Sequence, residues 1–344
     1  MRVYLDHNAS APLRPEAREA AIRAMDAVGN PSSVHAEGRA ARAAVERARA
    51  QVARLADCAP SEIVFTSGAT EAASVLGALG RVGVQGTAHD CLWAHRTEGP
   101  HDWLAMGHAS GETGIVTEPE RDGDAWRCGA LLAPRLLLDI TQSVGRMPVS
   151  FARSGADLAI MSSHKIGGPR GVGALVVRGG LDVRLTPGGG QELGRRSGTE
   201  NVPGIAGFGA AAEAALRDLD AGLWAGVAER RDWLEHALEE ASKDTISVGK
   251  GHPRLPNTIC LATPDWRGET QVIQCDLAGY AVSAGSACSS GKVAESRVLR
   301  AMGLGDLAGC AIRISIGPET TRDQLAGFAA KWDELLRRRS ARAA

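Results

Sequence analysis

The sequence predicts an α/β fold, with a large domain built on a mainly parallel sheet flanked by helices and a smaller α+β domain toward the C-terminus. Short apolar runs that read as buried strands, Ile63-Val-Phe65, Leu136-Leu-Leu138 and Ala156-Asp-Leu-Ala-Ile160, alternate with segments of helical composition, the pattern of strands joined by crossover helices. Two of these runs open into turns rich in Ser, Thr and Gly. Around Ser247 the composition changes to Gly, Pro and short β-like runs such as Thr258-Ile-Cys-Leu261. The expected bounds are 15–245 for the large domain, with 1–14 and 246–344 forming the small one.

The totals agree with a soluble globular chain. Its 344 residues, 44% hydrophobic and 23% charged, can bury a sizeable core. A net charge of −1 gives no reason to expect nucleic acid or an anionic membrane as partner. No run approaches the roughly 20 apolar residues of a membrane span, and the N-terminus lacks a signal-peptide core. The seven cysteines are odd in number and form no CxxC pair. That argues against a disulfide framework or a zinc site and for reduced thiols in the cytoplasm.

Taken in order, Val3–Pro12 is a short strand running into a polar turn. Pro15 then stands where a first helical turn begins. Gly29-Asn-Pro-Ser-Ser33 is a break, and Ala36–Leu55 spaces Ala41, Ala44, Val45, Ala48, Val52 and Leu55 as a helix does. Ile63-Val-Phe65 passes through Thr66-Ser-Gly68 into a helix expected from Ala69 to Leu79. A strand, a Gly turn and a helix start together suit an anion, with Thr70 adding a hydroxyl, although such turns also occur where nothing binds. Residues 82–127 are the least regular. They hold His89, and a lone histidine is usually structural or solvated. Helices are expected at Pro203–Leu219 and Trp224–Ala241, and the arginine-rich 336–340 reads as a solvated helix end.

Chemistry concentrates at three places. Met161-Ser-Ser-His-Lys-Ile-Gly-Gly-Pro-Arg-Gly-Val-Gly173 puts Lys165 between Ser162, His164 and closely spaced glycines at a strand end. A lysine beside donors suited to phosphate is what a Schiff base with a phosphorylated aldehyde requires, which points to pyridoxal phosphate. A surface lysine in a glycine-rich turn is the plain alternative. Asp139 ends the apolar strand 135–139, where a carboxylate needs a partner such as the cofactor's pyridinium nitrogen, or caps the next helix. Arg313, inside Ala311-Ile-Arg-Ile-Ser-Ile316, calls for a carboxylate partner. Among the cysteines, Cys288 alone falls in a small-residue loop, 281–291, expected to be exposed and mobile.

With these stretches in hand, the chain resembles the cysteine desulfurases, class V members of the fold type I pyridoxal-phosphate transferases. The likeness runs through Tyr4-Leu-Asp6 with Ala9, Gly29-Asn-Pro-Ser-Ser-Val-His35, Thr66–Glu71, Asp139 with Gln142, Ser162 with His164-Lys165, Arg196-Ser-Gly-Thr199, Gly285-Ser-Ala-Cys288 and Arg313-Ile-Ser315. The segment from Cys288 to Arg313 is similar to members with a long cysteine loop. The resemblance implies Lys165 as the Schiff-base lysine, Cys288 as the persulfide-forming nucleophile and His89 as the ring-stacking histidine that moves protons. It implies Asp139 at the pyridine nitrogen and Gln142 at the ring oxygen. Ala69, Thr70, Ser162 and His164 would hold the phosphate, joined by Thr199 from a partner subunit, hence a homodimer. Arg313 and Asn8 would hold the substrate L-cysteine. A sulfur-acceptor or scaffold protein is the further partner, and no metal is expected beyond a transient iron–sulfur ligand at Cys288. Three positions depart from the family. Ser110-Gly-Glu112 replaces an Asn-Asn-Glu turn, the stretch between His89 and Met106 is short, and Leu193 replaces an Arg. Two other outcomes stay open: a different class V lyase or aminotransferase, and a non-catalytic paralogue.

Overall fold

The computed structural model describes residues 2–285 and 295–343. It separates into two compact units, Met1–Ser10 with Ser110–Val116 and Gly222–Ala344, and Ala11–Ala109 with Thr117–Ala221.

The larger unit is built on a six-stranded sheet in the order Ile63–Thr66, Gly173–Val177, Leu158–Ser162, Arg135–Asp139, Trp103–Gly107, Val82–Val84. All strands run parallel except Gly173–Val177, which is antiparallel to both neighbours. Both faces are covered, so the strands read as continuous apolar runs rather than alternating ones. The pleat divides their side chains. Ile63, Phe65, Leu136, Leu138, Ala159, Met161, Ala174 and Val176 face a core shared with Val45, Val52, Leu55 and Phe208. Val64, Leu137, Leu158, Ile160, Leu175 and Val177 face Ala72, Val75, Leu76 and Leu92. The expected mainly parallel sheet flanked by helices is observed.

Helices Pro15–Asp26, Ala36–Ala56 and Val202–Asp220 form one covering layer. The helix expected over 69–79 is instead a turn of α-helix, Ala69–Ala73, tightening into 3₁₀ geometry over Ser74–Ala78. Residues 82–127 are more ordered than their composition suggests. They hold two parallel strands and part of an antiparallel three-stranded sheet, Glu120–Asp122, Ala125–Cys128 and Leu131–Ala133. Trp126 from that small sheet is buried in the core. Such short strands, mostly charged on the solvent side, carry too few apolar residues to show period-two patterning.

The smaller unit pairs an antiparallel sheet, Ile246–Ser247, Thr258–Ala262 and Ala311–Ser315, with helices Leu223–Ala241, Gly268–Leu277 and Arg322–Ala343. Val227, Leu234, Leu238, Ile259, Ile314, Phe328 and Trp332 form its core. The division falls elsewhere than the expected 15–245. Helix Leu223–Ala241 buries its apolar side in the smaller unit's core. Ala11–Arg14 belongs to the larger unit, where the Arg14 N–H donates to Gly167 O at 2.8 Å and its guanidinium reaches Asp218 at 2.6 Å. Residues 110–116 join the smaller unit through Val116 N–H to Pro253 O and Leu255 N–H to Gly114 O. Among the described residues no helix is long and apolar enough to cross a membrane.

Candidate active site

Strand register decides what Lys165 has for company. Asp139 lies opposite both Gly107 and Ile160, and Gly173 lies opposite both Ser162 and Thr66. Asp139, Ser162 and the Thr66-Ser-Gly turn therefore collect at one carboxyl edge of the sheet, the edge at which α/β proteins bind ligands. Ser163–Lys165 is a single 3₁₀ turn leaving Ser162, so Lys165 stands half-buried three residues beyond the strand. Its carbonyl accepts from Arg146 Nη2 at 3.1 Å, and the His164 carbonyl accepts from the Ala11 N–H at 2.9 Å. Burial, and then the charges of Lys165, Arg170 and Arg146, push the His164 imidazole down to about 4. The ring is accordingly neutral near pH 7.

Asp139 is buried, and one of its oxygens accepts from the Thr141 N–H at 2.9 Å. No helix starts here for Asp139 to cap; the hydrogen bond closes a local turn instead, and it fixes the orientation of the carboxylate. Gln142 Oε1 accepts from Arg146 Nη1 at 2.7 Å, which fixes the orientation of the amide. Arg146, itself buried, was not singled out from sequence. Its spacing of four residues from Gln142 in a turn was the available signal.

On the side suited to phosphate, Gly68 precedes half-buried Ala69 and exposed Thr70. A Cβ on Gly173 would come within 2.7 Å of Gly68 Cα, and one on Gly68 would stand 3.9 Å from Ser162 Oγ. Only glycine at 173 lets the turn lie this close to the strand. Glu71 anchors the turn, accepting from Ser67 N–H and, at 2.9 Å, from Arg196 Nε. Burial works against its ionisation, yet the hydrogen bonds from Arg196 and Ser67 hold its carboxyl below the ordinary range. Thr199, three residues past Arg196, is exposed, and so is His89. His89 caps the short helix Asp90–Trp93, its Nδ1 accepting from Cys91 N–H at 3.1 Å.

In the smaller unit, Arg313 is buried on its strand. Its Nη2 donates to Asp6 Oδ1 at 2.6 Å and its Nη1 to Gly111 O at 3.1 Å. Asp6 is the carboxylate partner the sequence called for but did not name. Asn8, also buried, donates through Nδ2 to Gly111 O at 3.1 Å and to Thr258 Oγ1 at 2.9 Å. Where the family carries an asparagine side chain, this chain offers the Gly111 carbonyl to both Asn8 and Arg313. Leu193 is exposed and left-handed at φ 59°. Cys288 lies outside the described residues.

The donor set at the carboxyl edge fits pyridoxal 5'-phosphate: a lysine amine, a buried oriented carboxylate, an oriented amide, and a glycine turn pressed against a serine. The fold and these groups together define a pyridoxal-phosphate enzyme of the aminotransferase type. The chain belongs to the class-V aminotransferase family, which matches residues 3–87 and 95–328. The gap between those stretches takes in His89. The chain is 38% identical to a cysteine desulfurase from a Frankia strain, with 94% of this chain and 88% of that one covered. It is 37% identical to another from Cereibacter sphaeroides, covering 97% and 94%. A protein named cysteine desulfurase IscS from Dictyoglomus turgidum is 34% identical, covering 94% and 91%. Among solved structures, a NifS-like protein from Rickettsia africae superposes with a TM-score of 0.85 at 27% identity, covering 98% and 99%.

Proposed function

We infer that the chain is a pyridoxal-phosphate-dependent cysteine desulfurase, converting L-cysteine to L-alanine and passing the sulfur to Cys288. The observation that carries this reading is Lys165 at the carboxyl edge, beside Asp139 and the Thr66–Thr70 turn, in a chain similar nearly end to end to proteins of that name. The cofactor, when bound, withdraws electrons from the α-carbon of an attached amino acid.

The chain's own groups do the rest. Lys165 would hold the cofactor and move the proton at the α-carbon, with His89 as second proton carrier. Asp139 keeps a proton on the ring nitrogen, and Gln142 donates to the ring oxygen. Ala69, Thr70, Ser162 and neutral His164 hold the phosphate, with Thr199 of a second copy. Arg313 and Asn8 orient the substrate. The Cys288 thiolate attacks the substrate sulfur, the C–S bond breaks, and the carbon takes a proton, so L-cysteine and a thiol become L-alanine and a persulfide. Arg313 Nε is buried with no hydrogen-bond partner among the described residues, and a substrate carboxylate would satisfy it. An acceptor or scaffold protein in the cytoplasm takes the persulfide sulfur for iron–sulfur or thio-cofactor assembly.

Alanine release from L-cysteine by the cofactor-loaded protein tests this. Wild type produces alanine, and Cys288→Ala produces none while keeping the cofactor's absorbance. Alanine from Cys288→Ala at the wild-type rate would refute sulfur transfer through that thiol.

A further inference from the structure

Arg313 does not stand in its strand as a lone cation. Its Nη2 is paired with Asp6 Oδ1, and Ser283 Oγ donates to Asp6 Oδ2 at 2.7 Å. Ser283 and Arg313 also exchange both main-chain hydrogen bonds, at 2.6 and 3.2 Å. The side chains of Arg313 and Asp6 are only 6% and 16% exposed, so their charges largely cancel where water does not screen them. Nη1 is occupied by the Gly111 carbonyl, and Nε–H remains buried without a partner among the described residues. Such a group recognises an acceptor by hydrogen-bond geometry rather than by net positive charge.

We propose that Asp6 is a specificity-determining residue, which neutralises Arg313 so that the site takes a singly charged carboxylate and rejects doubly charged anions. This rests on Arg313 being the group that holds the substrate carboxylate. A monoanion satisfies Nε–H and meets one repulsion from Asp6, whereas a dianion of the same reach meets it twice. An uncompensated arginine would show the reverse preference, as phosphate- and sulfate-binding arginines do. Ser283 holds the second Asp6 oxygen and so keeps the carboxylate in register with the guanidinium.

The test is competitive inhibition of alanine formation by acetate and by sulfate, at fixed ionic strength, in the cofactor-loaded enzyme. Wild type should be inhibited by sulfate no more strongly than by acetate. In Asp6→Asn, whose amide oxygen still accepts from Arg313, the inhibition constant should fall for both anions. The drop for the dianion is the square of that for the monoanion, about tenfold for sulfate against about threefold for acetate. Arg313→Gln should abolish competition by either anion. If Arg313→Gln leaves both constants unchanged, Arg313 is not the carboxylate site, and the reading of the substrate grip is wrong. If Arg313→Gln abolishes competition but Asp6→Asn leaves the sulfate-to-acetate ratio as in wild type, the role given to Asp6 is wrong. Should Asp6→Asn not fold, wild type alone decides: sulfate inhibiting tenfold more strongly than acetate would overturn the proposal.

Discussion

His164 shows how one side chain can carry a pH dependence for the chain around it. Burial and the cations Lys165, Arg170 and Arg146 lower its pKa from 6.5 to about 4 in the folded protein. The unfolded chain accepts a proton once pH falls below about 6.5, and the folded chain refuses it until about 4, so stability drains away between those values. For the cofactor-free protein, His164→Gln should flatten the decline in urea midpoint between pH 7 and pH 4.5, by at most a few kcal/mol in unfolding free energy. An unchanged slope would mean that the imidazole is not held neutral. The residues around it divide sharply in how readable they were. Lys165 and Asp139 announce themselves because their chemistry suits a strand end, whereas Gln142 comes only with the family resemblance. Arg146 leaves only its spacing of four residues from Gln142, and Asp6 leaves no signal at all, since it acts by binding the distant Arg313 and spacing says nothing of such a pair.

At the scale of elements, the turn that faces the phosphate side is secured from behind. Glu192 is buried, and both its oxygens take Arg49, through Nη1 at 2.8 Å and Nη2 at 2.9 Å. One of them also accepts from the Phe65 N–H at 2.7 Å, while Arg49 Nη1 donates to Ile63 O at 2.8 Å. The loop bearing Arg196 and Thr199 is thereby fastened to the strand that feeds Thr66–Thr70. Glu192 and Leu193 adopt φ of 50° and 59° to do so, a conformation costing roughly 1–3 kcal/mol at a non-glycine residue. Glu192→Ala leaves the buried Arg49 with exposed Glu46 as its one carboxylate partner among the described residues and strands the Phe65 amide, and should cost about 2–4 kcal/mol of unfolding free energy with weakened cofactor binding. Leu193→Gly relieves strain and should leave stability equal or raised by up to about 1 kcal/mol. Denaturant titration with and without cofactor measures both, and a loss below about 1 kcal/mol for Glu192→Ala would show the pair to be incidental. Continuous apolar runs disclose the strands this network supports, because both sheet faces are apolar. They could not disclose the loop, which is held by ion pairs to distant residues, Glu192 to Arg49 and Arg196 to Glu71. For the same reason the small sheet at 120–133 escaped notice: its order comes from packing Trp126, not from a repeating pattern.

For the whole molecule, assembly bears on the chemistry. Met25, Val28 and Val34 are 69%, 83% and 87% exposed, and Leu13 and Ile22 add to the apolar surface of this N-terminal stretch. Exposed apolar residues gathered in one short segment commonly mark an interaction surface, and Thr199 is exposed as well. Under the homodimer reading, Thr199 serves the cofactor of the other copy, and sedimentation should give about twice the 35.8 kDa chain mass. Lys165→Ala should lower alanine formation by about 10²–10⁴-fold. Thr199→Ala removes one charge-assisted hydrogen bond and should weaken cofactor affinity by about 10–100-fold, leaving little activity at limiting cofactor. Mixing the two variants and allowing subunits to exchange then separates the arrangements. In a mixed dimer, one site combines Lys165 of one copy with Thr199 of the other and is whole. An equal mixture should therefore recover about a quarter of wild-type activity. If Thr199 served its own copy's site, every site in the mixture would lack one of the two residues, and activity would stay at the level of the separate variants.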